Sequence, residues 1–335
     1  MQAILNKLLQ QQDLSFAEAH EMVLWIMSEE AVPVKAAALL ALLQSKGATV
    51  EEMAGAARAM RERSHRIIAP EQAVDTCSTG GNGISTFNIS TCAALIAAAA
   101  GAIVAKHGNR SNTRKSGSAE ALEALGVNIG ISVPQVEASL KELNLCFCYA
   151  VSHHPAMRFA GPIRRELGIP TVFNFLGPLT NPAGAQRQLI GVPSRELTLK
   201  MAQVLQQLEA EHVLVVHGAD GLCELTVTES TYVVELKNGN LREFTVTPEE
   251  LGLCRGRLED IAIDSPEHSA RIIRSILDGT EQGTARDIAI LNSAGALVVG
   301  GVAPDLQTGV QLAREAVDSG AAQAKLDALV SFTQA

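Results

Sequence analysis

Residues 78–83 read STGGNG and follow a short β-rich run, AVDTC. Glycines let backbone N–H groups approach an anion with no side chain in the way. The next residues, TFNIST, open a helix, whose first turn offers unpaired N–H donors and a positive dipole end. Asn88, Ser90 and Thr91 add polar side chains there. The chemistry on offer is phosphate binding; the bland alternative is a tight strand-to-helix turn with an ordinary cap. The pattern is not G-x-x-x-x-G-K-[ST], which argues against a P-loop. A second stretch, KHGNRSNTRKSGSAEALEALG at 106–126, places Lys106, Arg110, Arg114 and Lys115 among Asn109, Ser111, Asn112 and Thr113. Charge runs are usually solvated faces, but this one follows a strand pattern, and open α/β sheets bind ligands at the carboxyl ends of their strands. Phosphate or pyrophosphate is the ligand class expected. A third stretch, HHPAMRFAGPIRRELG at 153–168, predicts a helix carrying Arg158, Arg164 and Arg165. Arginine grips a carboxylate with two parallel hydrogen bonds; pairing with a surface acid such as Glu166 is the alternative. A fourth, FNFLGPLTNPAGAQRQLIGV at 173–192, reads as an ordered non-helical connection because of Gly177-Pro178 and Asn181-Pro182.

These stretches need a scaffold. Residues 1–66 read as helical throughout: SFAE at 15–18 and TVEE at 49–52 are capping boxes, and Pro33 suits a helix's first turn. From Gln72 the pattern changes to short β-rich runs (AVDTC, AIVAKH, LCFCYAV, PTVFN, QLIGV, HVLVVHG) separated by helical stretches near 88–100, 118–125, 134–143, 156–167 and 196–209. Ser116 or Ser118 should cap the second of these helices. Strands alternating with helices predict a mostly parallel sheet flanked by helices, an α/β fold behind a small all-helical N-terminal subdomain. TYVVEL and LREFTV around Asn238-Gly239 predict a hairpin. Helices follow near 266–278, 285–299 and 305–331. The expected division is 1–66 and 67–335, with a return of the C-terminal helices to the first subdomain left open.

Composition narrows the function classes. The formal charge of −9 argues against a general nucleic-acid binder. The longest apolar run, Cys92–Ala105, is too short to span a bilayer, and MQAILNKLLQ lacks the parts of a secretory signal, so a cytoplasmic protein with no membrane partner is expected. Six scattered cysteines have no zinc-site spacing and are expected as buried free thiols. Apolar stretches such as VLWIM and AAALLALL in the first 66 residues suggest surplus apolar surface for a homodimer contact.

KHGNR, SGSA, HPAMR and LGPLTNPA, in this order, resemble the anthranilate phosphoribosyltransferases along nearly the whole chain. The resemblance implies transfer of phosphoribose from phosphoribosyl pyrophosphate to the amine of anthranilate in tryptophan biosynthesis, with Mg²⁺, by a homodimer joined through its helical subdomain. It implies a pyrophosphate cradle of Ser78, Thr79, Gly80, Gly81 and Asn82, with Thr86, Asn88, Ser90, Thr91, Lys106, Lys115 and Ser118. It implies contacts to anthranilate from Asn109 and from Arg164, the latter through the carboxylate, along a path lined by His107, His154 and Gly177. Ser90, Glu224 and Cys223 fall at its metal positions. No general base is implied, since an aromatic amine is already nucleophilic.

The sequence departs from that pattern at the metal. The family's turn usually reads G-T-G-G-D-G, so Asn82 stands for an Asp and Ser78 for a Gly. An Asp-Glu pair usually follows H-G-x-D-G-L; here HGADGLCE puts Cys223 before Glu224. Arg114 and Thr113 occupy a usual Ser pair. Magnesium prefers oxygen ligands, and a neutral thiol is a poor one. The expectation is weakened metal dependence, with Glu224 and nearby Asp220 able to keep one site and Arg114 adding charge toward pyrophosphate. The alternatives are a transferase for another acceptor, a phosphorylase on the same fold, or a binding protein without turnover.

Overall fold

The computed structural model describes residues 1–111 and 114–335. Four helices come first: α1 (Gln2–Leu9), α2 (Phe16–Ile26), α3 (Pro33–Lys46) and α4 (Val50–Glu62). Ser15 and Thr49 cap α2 and α4, each with the glutamate three residues on bonded back to the cap, and Pro33 opens α3. The chain then alternates: β1 (Val74–Ser78), α5 (Ile89–Ala99), β2 (Val104–Gly108), α6 (Ser118–Ala124), α7 (Val133–Leu143), β3 (Leu145–Tyr149), α8 (Ala150–His153), α9 (Met157–Leu167), α10 (Phe173–Leu176), β4 (Arg187–Gly191), α11 (Arg195–Gln207) and β5 (His212–Gly218). The hairpin β6 (Thr231–Lys237) and β7 (Asn240–Val246) follows, turning at Asn238-Gly239 with both residues at positive φ. The chain ends in α12 (Pro266–Leu277), α13 (Thr284–Val299), α14 (Leu306–Asp318) and α15 (Ala321–Gln334).

The seven strands lie in the order β3-β2-β1-β4-β5-β6-β7, parallel through β5 and antiparallel in the hairpin. The order reverses between β1 and β4, and such a switch point opens a crevice beyond the strand ends. Alternate residues of β4 and β5 face opposite cores. Leu189, Leu214 and Val216 pack with α5 and α13, whereas Ile190, Val213 and Val215 pack with α4 and α11. The second core also contains Val23, Ile26, Leu39, Leu40 and Leu43, so the first four helices share one apolar interior with a sheet face.

Four readings need correction. PTVFN is not a strand: Val172, Phe173 and Leu176 turn in as α10 and pack toward α4. With the 3-10 turn Gly177–Leu179 that follows, this makes the 173–192 connection partly helical. The stretch 305–331 is two helices, broken where Gly320 takes φ 78°. α6 is capped at Gly117, not at a serine, with Glu120 accepting the Gly117 amide at 3.0 Å. The C-terminal helices pack on α5, α7 and α12 rather than on the first four. All six cysteines are free, as expected, but Cys254 is exposed and Cys77 partly so.

Candidate active site

The glycine turn lies at the carboxyl end of β1, beside the switch point. Gly80, Gly81 and Gly83 all have positive φ, which only glycine adopts cheaply, and a Cβ on any of them would meet open space. Ser78 and Thr79 stand half-buried before it, with the Thr79 amide bonded to the Gly191 carbonyl at 3.0 Å. Thr86 is buried and pairs with Ala262 in an isolated antiparallel bridge. α5 then starts at Ile89. The Thr91 hydroxyl in its first turn is buried without a hydrogen-bond partner. Lys106 reaches in from β2 through a buried chain, donating to the Thr76 carbonyl and to Ser90 Oγ at 3.2 Å. Asp75, unnoticed in the sequence, is fully buried beside it. It accepts the His107 amide at 3.0 Å, and its second oxygen has no partner. Burial pushes the Asp75 carboxyl up and the Lys106 ammonium down, each partly restored by the other's charge.

The segment after β2 folds back over the turn. Asn88 holds it there, accepting from the hydroxyls of Ser116 and Ser269 at 2.7 Å each. Its cations divide. Arg110 pairs with Glu123 at 2.7 Å on the surface, the solvated-face outcome. Lys115 is exposed, its amide 3.4 Å from Ser85 Oγ. Arg114 turns inward, donating through Nη2 to Asn82 Oδ1 at 2.7 Å, with Nη1 4.0 Å from Glu224 Oε1. Asn82 uses both ends of its amide: Nδ2 donates to the Gly221 carbonyl at 3.0 Å. A carboxylate has no proton for that bond, which gives this chain a reason to keep an amide there. Ser118 donates to the carbonyl of Asn109, an exposed residue at the rim. Asn112 and Thr113 lie outside the described residues.

A second group of residues gathers beyond β2 and β3. His107 Nδ1 donates to the Gly177 carbonyl at 3.2 Å, and its ring lies 5.1 Å from that of His154. Both rings are buried with an unpartnered Nε2. Burial, and after it neighbouring positive charge, pushes His107 down to about 4 and His154 to about 3, so both are neutral at physiological pH. His153 and His65 clamp this corner reciprocally: His153 Nδ1 donates to the His65 carbonyl and the His65 amide donates to the His153 carbonyl, each at 2.7 Å. Gly177 has φ −48°, which any residue can adopt, and a Cβ there would meet nothing within 4 Å; the space above it is open. Arg164, in the last turn of α9, lies over the Phe173 ring at 5.3 Å and touches Asn174 at 3.4 Å. Among the described residues it has no carboxylate within ion-pair distance, Glu166 included.

Two family descriptions fit the chain: a glycosyl transferase family helical bundle domain over residues 2–64, and a glycosyl transferase family a/b domain over residues 70–323. A Nitrosomonas europaea anthranilate phosphoribosyltransferase is 46% identical over 334 residues, covering 99% of this chain and 98% of that one. The chain belongs to the anthranilate phosphoribosyltransferase family. The crystal structure of the Thermus thermophilus family member superposes with a TM-score of 0.94 at 42% identity, covering 99% of each chain. The Saccharomyces cerevisiae family member, in complex with phosphoribosyl pyrophosphate and Mg, superposes at 0.91 and 27% identity, covering 99% and 97%. Another structure of that yeast protein holds 4-fluoroanthranilate.

Against that family pattern, the metal positions have a distinct chemistry here. The Cys223 thiol points to the Gly80 carbonyl at 3.8 Å, and burial pushes it up to about 12, so it stays protonated. Asp220 is spent: its carboxylate accepts the Leu222 amide and the hydroxyls of Thr226 and Thr228. It therefore gives no spare ligand, contrary to the sequence expectation. Glu224 is buried with Oε2 unpartnered, and burial raises its carboxyl. Asn292 of α13, also missed in the sequence, grips both the amide and the carbonyl of Leu225 and so fixes Glu224 beside the turn. No cluster of three His, Cys, Asp or Glu suited to a metal occurs among the described residues. No helix there is long and apolar enough to cross a membrane.

Proposed function

We propose that this chain transfers phosphoribose from phosphoribosyl pyrophosphate to the amine of anthranilate, giving N-(5-phosphoribosyl)anthranilate for tryptophan biosynthesis. The observation that carries the reading is two chemistries side by side at the carboxyl end of β2. An anion cradle with open glycines and buried Lys106 lies on one side, and an unpaired guanidinium, Arg164, with two neutral histidines on the other.

In this reading the amides of residues 79–83, with Ser78 and Asn82 flanking them, Asn88, Ser90 and Thr91 hold the pyrophosphate, and Lys106 faces its charge. Thr86, Lys115 and Ser118 border the donor. Arg164 takes the carboxylate of anthranilate, Asn109 hydrogen-bonds it, and His107, His154 and Gly177 form its path. The C1–O bond to pyrophosphate breaks as the C1–N bond forms, and the amine's proton passes to the departing pyrophosphate or to water. Catalysis rests on orientation and on stabilising the departing pyrophosphate. The neutral imidazoles suit a wall around an uncharged amine, where a protonated ring would draw the acceptor's carboxylate out of place.

Mg²⁺, bound with phosphoribosyl pyrophosphate by the yeast relative, would supply charge neutralisation on the phosphate oxygens. The Ser90 hydroxyl fits such an ion as one oxygen ligand beside the substrate's own. The Cys223–Glu224 side does not: a protonated thiol and a guanidinium 4.0 Å from Glu224 leave one carboxylate oxygen.

The division into 1–66 and 67–335 is proposed as a dimer-forming helical unit and a catalytic unit. VLWIM and AAALLALL are largely consumed in the shared core, but Val32 and Val34 remain exposed at the start of α3. Val34 borders a groove of about 770 Å³ against Phe159, Pro162, Ile163 and Leu167 of α9. This apolar groove is where the homodimer reading would seat a second copy. Loss of anthranilate fluorescence that requires phosphoribosyl pyrophosphate tests the activity; folded protein with no turnover at any magnesium concentration rejects it.

A further inference from the structure

Arg114 sits where three strand ends meet. It comes from the segment after β2, donates to Asn82 in the turn after β1, and lies beside Glu224 in the segment after β5. Its side chain is 17% exposed, and its Nε is buried with no partner. Asn82, which accepts from it at 2.7 Å, is neutral and is itself anchored on Gly221. The nearest carboxylate stays 4.0 Å away with its other oxygen unpartnered, so the guanidinium charge is only loosely countered. In the turn that it reaches, a Cβ on Gly80, Gly81 or Gly83 would meet nothing within 4 Å. A planar, permanently charged fork is suited to a phosphate oxyanion.

We propose that Arg114 is a resident cation for the pyrophosphate group, standing where this site cannot hold a second divalent ion, so that pyrophosphate binding has a metal-independent component. The inference rests on the reading of the glycine turn as the pyrophosphate cradle. Asn82 and Glu224 aim the guanidinium across the turn. Asn82 is an amide because it must both accept from Arg114 and donate to Gly221.

Calorimetric titration of inorganic pyrophosphate into the whole protein, in EDTA and across a magnesium series, tests this. Arg114→Gln keeps a donor for Asn82 Oδ1 but removes the charge; Arg114→Lys restores charge without the fork. Arg110→Ser removes a charge from the same segment that is already engaged with Glu123. The wild type and Arg110→Ser should bind pyrophosphate in EDTA. Arg114→Gln should lose roughly ten- to hundredfold in EDTA, the range for a charge-assisted hydrogen bond, and recover part of it with magnesium; Arg114→Lys should fall between. Equal affinities of the wild type and Arg114→Gln in EDTA would overturn the proposal and leave Arg114 as a structural pin. Wild-type binding that vanishes in EDTA would overturn it too. If no folded variant binds pyrophosphate with or without magnesium, the cradle reading itself fails, a result distinct from both.

Discussion

Acidification from pH 7.5 to 5.0 should strain one particular corner of the site. His107 and His154 are buried, their rings 5.1 Å apart, and their pKa values are pushed down to about 4 and about 3. In the unfolded chain each returns to about 6.5. Between those values the unfolded state binds protons that the folded state refuses, so stability is full above pH 6.5 and is lost as pH falls toward the folded pKa. At pH 5.0 the unfolded imidazole lies about 1.5 pH units below its pKa, worth about 2 kcal/mol at about 1.4 kcal/mol per unit. The folded rings gain almost nothing there, so the pair costs about 4 kcal/mol. Asp75 and Glu224, raised by burial, act in the opposite sense, gaining relative stability as pH falls. They are common to the wild type and to a His107→Gln/His154→Gln variant, and cancel when the two are compared. Urea unfolding at both pH values should show the wild type losing about 4 kcal/mol more than the variant. In parallel, the ring-proton resonances of both histidines should stay fixed down to pH 5. Equal losses, or either ring titrating near pH 6.5, would refute the reasoning.

Four further outcomes are expected. Asn82→Asp removes the donor to the Gly221 carbonyl and should cost about 1–3 kcal/mol in urea unfolding; an unchanged midpoint would make that tie dispensable. Arg164→Ala should raise the KM for anthranilate roughly tenfold or more while leaving that for the donor unchanged, and Arg164→Lys should rescue it only in part; a shift in the donor constant instead would move the carboxylate contact elsewhere. Gly191→Ala should not yield folded protein, because the new Cβ would fall 1.5 Å from the Cys223 carbonyl oxygen, whereas Gly177→Ala should fold normally and bind anthranilate less well; thermal melts and acceptor binding separate the two. Val34→Glu, at an exposed apolar position of α3, should give a monomer by light scattering if the groove against α9 seats a second copy.

Periodicity made most of the scaffold readable, because strands that alternate between two cores and helices with capping boxes carry their pattern locally. PTVFN misled because Thr171 and Val172 look like strand residues, while the demand for burial against α4 is set by residues more than a hundred positions away. The 319–320 break had a local signal, Ser-Gly, that the apolar rhythm on either side masked. Within the site, the glycines, Lys106 and Arg164 stood out by residue type. Asp75 did not, since a lone acid inside a short strand looks like an interruption until its neighbour's amide is found on it. Asp220 looked available until the two threonines closed on it. The Asn82–Arg114 contact joins residues 32 apart across two strand ends and has no sequence-local signature.

Asn292 ties the chemistry to the least accessible part of the molecule. It belongs to a helix buried almost from end to end, and both of its bonds to Leu225 are interior. The Leu225 amide should therefore exchange with solvent deuterium only when the whole protein opens, at the slowest rate in the molecule. The exposed amides around Asn109 and Lys115 should exchange through small local openings. One wall of the crevice is thus part of the last region to unfold. A substrate would meet a fixed anvil on the β5 side, opposite a segment whose ends at Asn109 and Lys115 face solvent.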